Sequence, residues 1–112
     1  MWTKGLNFQT MSKPTKLERK YWDNLIEGVG GCIVCRNLGL DSNYNLANTY
    51  VSIHHIDGRT KKGCHGPKKI LPLCFSHHQG PDGIHPYKAR WIEKYGTQEE
   101  LQEQCEKILN GE

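Results

Sequence analysis

All six histidines of the chain fall between His54 and His85. They stand as His54-His55, His65, His77-His78 and His85. Imidazole titrates near neutral pH and is the commonest metal ligand, so such a cluster can hold a cation, move a proton, or both. Cysteines add a second chemistry. Cys32-x-x-Cys35 and Cys74-x-x-His77 have the spacing at which two chain segments supply four tetrahedral ligands to one zinc. Four ligands leave no open position, which points to a structural zinc knuckle. Cys64 is the alternative to His77 as fourth ligand, whereas Cys105 lies on an apolar helical face and belongs with a core. The second constellation is His54, His55, His78 and His85, with His65 as a fifth candidate that either joins a metal or contacts phosphate. Successive strand residues face opposite sides, so His54 and His55 should not serve one ion together. One can bind a metal while the other faces a substrate or packs.

Local signals place these residues. Thr15 and Glu18 form a capping box that opens a helix to Glu27, with Trp22, Leu25 and Ile26 at helical spacing. Gly28, Gly30 and Gly31 stop it just before Cys32. Residues 32–49 read as a loop-rich segment built on the knuckle turn. A β-branched run from Thr49 to Ile56 predicts a strand that delivers the histidine pair. Ile70 to Cys74 is a second strand, and Pro72 inside it implies an edge or a bend. Phe75 to Gln79 starts a helix carrying His78. Tyr87 to Tyr95 is another helix, ended by Gly96, and Thr97 with Glu100 caps a last one to about Leu109. Two short strands, a helix and flanking helices make an α+β fold. Residues 1–14 form a flexible basic arm, and residues 15–112 form a single domain.

Composition narrows the function. A chain of 112 residues with 36% hydrophobic content and a mean hydropathy of −0.73 has a thin core, and small chains of that kind usually need a staple. Zinc contributes roughly 10–16 kcal/mol to finger peptides, enough to supply one. No apolar run is long enough to cross a membrane and no signal sequence is evident, so a cytoplasmic protein is expected. In that compartment five cysteines favour metal ligands over disulfides. A net charge of +3 suits a polyanion. The loop between the strands concentrates it in Arg59, Lys61, Lys62, Lys68 and Lys69, well placed to hold DNA phosphates near the histidines. Without a recognition helix, weak sequence preference and strong salt dependence are expected.

His54-His55-Ile56 and Leu71-Pro72-Leu73-Cys74-x-x-His77-His78, preceded by Cys32-x-x-Cys35, resemble an HNH endonuclease with its zinc knuckle. Gly83-Ile84-His85, then Trp91 and Tyr95-Gly96-Thr97-x-Glu99-Glu100-Leu101, resemble more closely the phage and prophage recombination enhancement (Ref) family of RecA-dependent nucleases. The resemblance covers about residues 15 to 110 and implies a ββα-metal fold. It implies that His54, His78 and His85 bind a catalytic divalent ion (magnesium, manganese or zinc) and that His55 is the general base. It implies 5′-phosphate and 3′-hydroxyl products, and a RecA filament in a bacterial host that directs cleavage to single-stranded DNA or a displacement loop. Many HNH proteins place an asparagine ahead of the second strand to orient the base. Here that stretch reads Lys68-Lys69, and His65 either takes the role or joins the metal. The alternative is a non-catalytic zinc module that grips nucleic acid or protein. Such a module uses His77 and leaves the other histidines without a reason to cluster. A thiol redox protein built on Cys32-x-x-Cys35 is weaker still, because no βαβ pattern follows the motif.

Overall fold

A computed structural model describes residues 13–39, 51–59 and 63–111. Most of the expected N-terminal arm, the first part of the expected first strand, and Lys61 and Lys62 lie outside the described residues.

Helix α1 spans Lys16–Val29. Its capping box is complete: Thr15 Oγ1 accepts from the Glu18 amide at 3.1 Å, and Glu18 Oε1 accepts from the Thr15 amide at 2.8 Å. The helix runs past Gly28 and stops at Gly30, whose φ of +84° suits a residue without a Cβ. The segment after Cys32 is not all loop. Cys32 caps a short helix α2, Ile33–Asn37, its sulfur accepting the Cys35 amide at 3.5 Å. The sequence concealed this turn because the cap is a thiolate-type ligand rather than Ser, Thr, Asp or Asn. Burial of Ile33 and Val34 in the core holds it in place.

Strands β1, Val51–His55, and β2, Ile70–Cys74, form one antiparallel pair, with Val51 opposite Cys74 and His55 opposite Ile70. Pro72 stands opposite Ile53. In a two-stranded sheet every strand has an edge toward which a proline can turn its missing N–H. All of β2 is buried, as befits a strand covered on both faces. Helix α3, Phe75–His78, follows directly; then come α4, Lys88–Tyr95, and α5, Gln98–Leu109, the last opened by a second complete capping box at Thr97 and Glu100. Leu25 and Val29 of α1, Ile70, Leu71 and Leu73 of β2, Trp91 of α4, and Leu101 and Cys105 of α5 share one core. The α+β architecture with a ββα centre and flanking helices is the one the sequence led us to expect.

Two devices aim the functional residues. The Trp91 indole donates to the His77 carbonyl at 2.9 Å, clamping α3 under α4. The chain then folds back on α3, where the Ile84 and His85 amides donate to the His77 and His78 carbonyls, each at 3.1 Å. This close approach needs Gly83, because a Cβ there would lie 2.6 Å from the His78 carbonyl oxygen.

Candidate active site and zinc cluster

Cys32, Cys35, Cys74 and His77 converge, their ligand atoms all within 4.8 Å of one another and all four residues buried. Cys35 and Cys74 sulfurs are 3.7 Å apart, and His77 Nδ1 lies 3.1 to 3.8 Å from the three sulfurs. The edges of a zinc tetrahedron with sulfur and nitrogen ligands are roughly 3.5–3.8 Å. Donor set and spacing therefore fit a closed zinc site. The electrostatics agree. Cys74 is pulled down to about 4, first by a hydrogen bond from Cys32 and then by His77. Cys35 is pushed up to about 11, by burial first and then by the charge on Cys74. Cys32 is also raised, chiefly because its thiol keeps its proton in a hydrogen bond to Cys74, and then by burial. Packed this tightly, the thiols can ionise together only against a multivalent cation.

Cys64 is buried but belongs to neither cluster, so His77 rather than Cys64 stands at the fourth corner. Cys105 sits in the core, its thiol pushed up to about 12 by burial.

One residue along α3 the chemistry changes. His54, His78 and His85 form a second group with ligand atoms within 4.8 Å. His78 Nε2 lies 3.3 Å from His54 Nδ1 and 2.9 Å from His85 Nε2. The remote nitrogens are engaged elsewhere. His54 Nε2 donates to Gln98 Oε1 at 2.7 Å, and His78 Nδ1 lies 2.8 Å from the Ser52 hydroxyl. An amide oxygen only accepts, so the His54 lone pair is on Nδ1, facing the group. Such outer partners fix the tautomer and aim of ligand histidines. His54 and His78 are buried while His85 is exposed. Three nitrogens with one side open are the makings of a metal centre with room for substrate. A cavity of about 170 Å³ opens there, lined by His55, Arg59, His78 and His85 among others.

His55 leaves this group, as strand alternation requires. Its Nε2 lies 2.8 Å from His65 Nδ1. His65 is therefore placed beside His55 and outside the trio. The Trp22 indole, edge-on to His55, donates to the His65 carbonyl at 3.1 Å. Tyr21 and Gln102 both donate to the Pro67 carbonyl, pinning the same loop. His55 is held down to about 4 by burial first, then by His65 and Arg59. His78 is held at about 4 by burial and by His54 and His85, and His54 is lowered chiefly by burial. All three rings are neutral at physiological pH, the form that binds metals and accepts protons.

Of the described basic-loop residues, Arg59 lines the cavity. Lys69 is paired with Asp57 at 2.8 Å and Lys68 lies 3.9 Å from Glu106. Those two lysines are less available to phosphate than the sequence alone suggested.

With this geometry in place, comparison with known families is informative. The model of the family described as recombination enhancement, RecA-dependent nuclease, matches residues 14–110. The chain belongs to this family. No solved structure matches it. Among the described residues no helix is long and apolar enough to cross a membrane.

Beside the histidines stand residues that sequence reasoning passed over. Ser52 is two residues before His54 and so on the same strand face, which is a readable signal. Gln98 and Gln102 share the helical stripe of Leu101 and Cys105, and all four are buried. A polar residue in an apolar stripe marks a buried hydrogen bond. Trp22 was legible as an apolar residue of α1, but its indole N–H contact with the His65 loop was not.

Proposed function

We propose that residues 15–112 act as one HNH-type endonuclease domain that hydrolyses DNA phosphodiester bonds with a single catalytic cation, targeted by a RecA filament to single-stranded DNA or a displacement loop. The observation that carries this reading is the meeting of two histidine groups at one cavity: the open trio of His54, His78 and His85, and the His55–His65 pair. A binding module has no use for both.

In this reading His54, His78 and His85 hold a divalent cation, with Gln98 and Ser52 fixing the first two rings. The cation supplies Lewis-acid stabilisation of charge on the phosphate and the leaving oxygen. Imidazole ligands suit manganese, zinc or nickel, and magnesium can serve with phosphate and water completing its shell. His55 Nε2 lies 2.8 Å from His65 Nδ1, and in the tautomer that donates from Nε2 the lone pair is on Nδ1. That nitrogen takes the proton of the attacking water. His65 thus fills the orienting role for which the sequence has no asparagine. Arg59 holds a phosphate oxygen. Cys32, Cys35, Cys74 and His77 bind structural zinc, fixing the start of α3 and with it His78.

The test is cleavage of labelled single-stranded DNA and a displacement loop, with magnesium or manganese, with and without RecA and ATP, beside His55→Ala. Cleavage that requires RecA and disappears in the variant is expected. Cleavage without RecA removes the targeting, and none under any condition, with zinc bound and the fold intact, leaves the binding module.

A further inference from the structure

A second cavity, of about 430 Å³, lies between α1 and β1. It and the cavity at the histidine trio adjoin along one surface, with Ile53, His55 and Arg59 common to both. One end holds His78 and His85. The other is walled by Arg19, Trp22, Asp23 and Ile26, which follow one another at i, i+3, i+4 and i+7 and so share a face of α1.

From this adjacency we infer that the α1 end of the surface is a subsite for one unpaired nucleotide flanking the scissile phosphate on the same DNA strand. The inference rests on the nuclease reading for which phosphate is cut, but the subsite stands on its own chemistry. Its volume is in the range of small-ligand sites. Trp22 and Ile26 are half-buried, giving a base apolar walls without closing the cavity. Charge favours a polyanion. Lys13, Lys16, Arg19 and Lys20 are all exposed around the start of α1. A helix N-terminus is the wrong end for cations, since the helix dipole repels them there. Helix stability does not explain that cluster, and a phosphate backbone does. Glu18, the acid in this stretch, is committed to the capping box, and no ion pair involves Arg19 among the described residues.

Asp23 selects the orientation. Its carboxylate repels phosphate, so the base rather than the backbone faces it, and it accepts from the exocyclic amino group of cytosine, adenine or guanine, which thymine lacks. In a duplex, stacking on neighbouring bases keeps the faces of that base away from Trp22 and Ile26. The subsite is thus one for single-stranded DNA, where bases are free to enter apolar pockets.

The experiment uses the full chain with its zinc and short single-stranded oligonucleotides carrying one photoreactive 5-iododeoxycytidine, which keeps the exocyclic amino group. After irradiation without added catalytic metal, cross-linked peptides are mapped by mass spectrometry. In parallel, Arg19→Ala, Arg19→Lys and Asp23→Asn are compared with the parent in oligonucleotide affinity across a salt series and, where cleavage occurs, in KM and kcat. Zinc content and circular dichroism verify folding. Cross-links within the α1 peptide are expected. Arg19→Ala should weaken binding several-fold and lower the salt slope by about 1, with kcat unchanged and Arg19→Lys largely restoring affinity. Asp23→Asn should reduce the preference for amino-bearing bases over thymine. Cross-links that avoid α1, with Arg19→Ala binding like the parent, overturn the subsite while leaving cleavage and the nuclease reading untouched. Cross-links to α1, together with no cleavage in any arm of the metal and RecA assay above, uphold the subsite and remove the nuclease reading alone.

Discussion

His77 and His78 are neighbours on one short helix, yet they belong to centres of opposite character. His77 closes a cluster of three sulfurs and one nitrogen, every member buried. His78 joins three nitrogens, one of them on exposed His85, beside a cavity. The closed centre can do little but hold the chain together. The open centre has its rings tied from behind by Gln98 and Ser52 and a free side in front. The helical turn separates the two directions, so a zinc ion held at His77 would fix the backbone from which His78 points. In the proposed reading one centre supplies the rigidity and the other the chemistry.

Breaking the closed centre should have the largest effect. Cys74→Ala or thorough chelation removes a site whose analogues contribute roughly 10–16 kcal/mol. That equals or exceeds the stability of a small domain, about 5–15 kcal/mol. We expect loss of the cooperative thermal transition and of bound zinc, followed by circular dichroism and atomic emission. By contrast, His78→Ala should keep zinc and a cooperative transition while losing cleavage. A variant of His78 that loses its zinc as readily as Cys74→Ala would show that the two centres are not separate.

The second effect is on catalysis alone. His55→Ala should lower kcat by about 10²–10⁴, the usual worth of a general base. The melting temperature and the metal content should stay near those of the parent, because His55 is neither a zinc ligand nor a member of the trio. Equal loss of metal would transfer His55 from the proton to the cation.

How much of this contrast could be read from the sequence depends on distance along the chain. The zinc ligands come as two x-x pairs, and each pair announces itself locally. The capping boxes at Thr15 and Thr97 and the β-branched approach to His54 are local too, so helices and strands emerged near their observed bounds. The back of the open centre is not local. Gln98 meets His54 across 44 residues, and Trp22 meets the His65 carbonyl across 43. No periodicity encodes such a pairing. The fold-back at Gly83 was visible as a loop, but its reason, a backbone approach too close for a Cβ, exists only in three dimensions. Likewise Lys69 counted as a loose cation until Asp57 was seen beside it.

Gln98 allows the open centre to be weakened without touching a ligand. Gln98→Leu removes the acceptor from buried His54 Nε2 and frees the ring to change tautomer. Loss of such an outer partner usually costs about 10–100-fold in metal affinity. We expect a loss of that size for manganese or cobalt, read by calorimetry or by the cobalt visible spectrum. Zinc in the closed centre should be retained, and Gln98→Glu, which keeps an acceptor, should bind more tightly than Gln98→Leu. An unchanged affinity in Gln98→Leu would reduce Gln98 to packing.

The smallest expected effect concerns the His55–His65 pair and shows in a pH profile. His55 is held down to about 4 by burial, by His65 and by Arg59. A depressed histidine pKa means that the neutral, proton-accepting form persists as pH falls. In the parent, the base therefore sets the acid limb of kcat/KM near pH 4–5, well below the 6.5 of a free imidazole. His65→Ala removes one like charge and admits water beside His55. Both changes favour the imidazolium, so the folded pKa rises and the acid limb moves up toward 6.5. At neutral pH the rate should fall by about tenfold through lost orientation, while His65→Asn, which keeps an acceptor for His55 Nε2, should retain more of it. A limb that stays in place in His65→Ala would assign the acid limb to protonation of the metal-binding trio instead, with His78 the first candidate because its ring is also held at about 4.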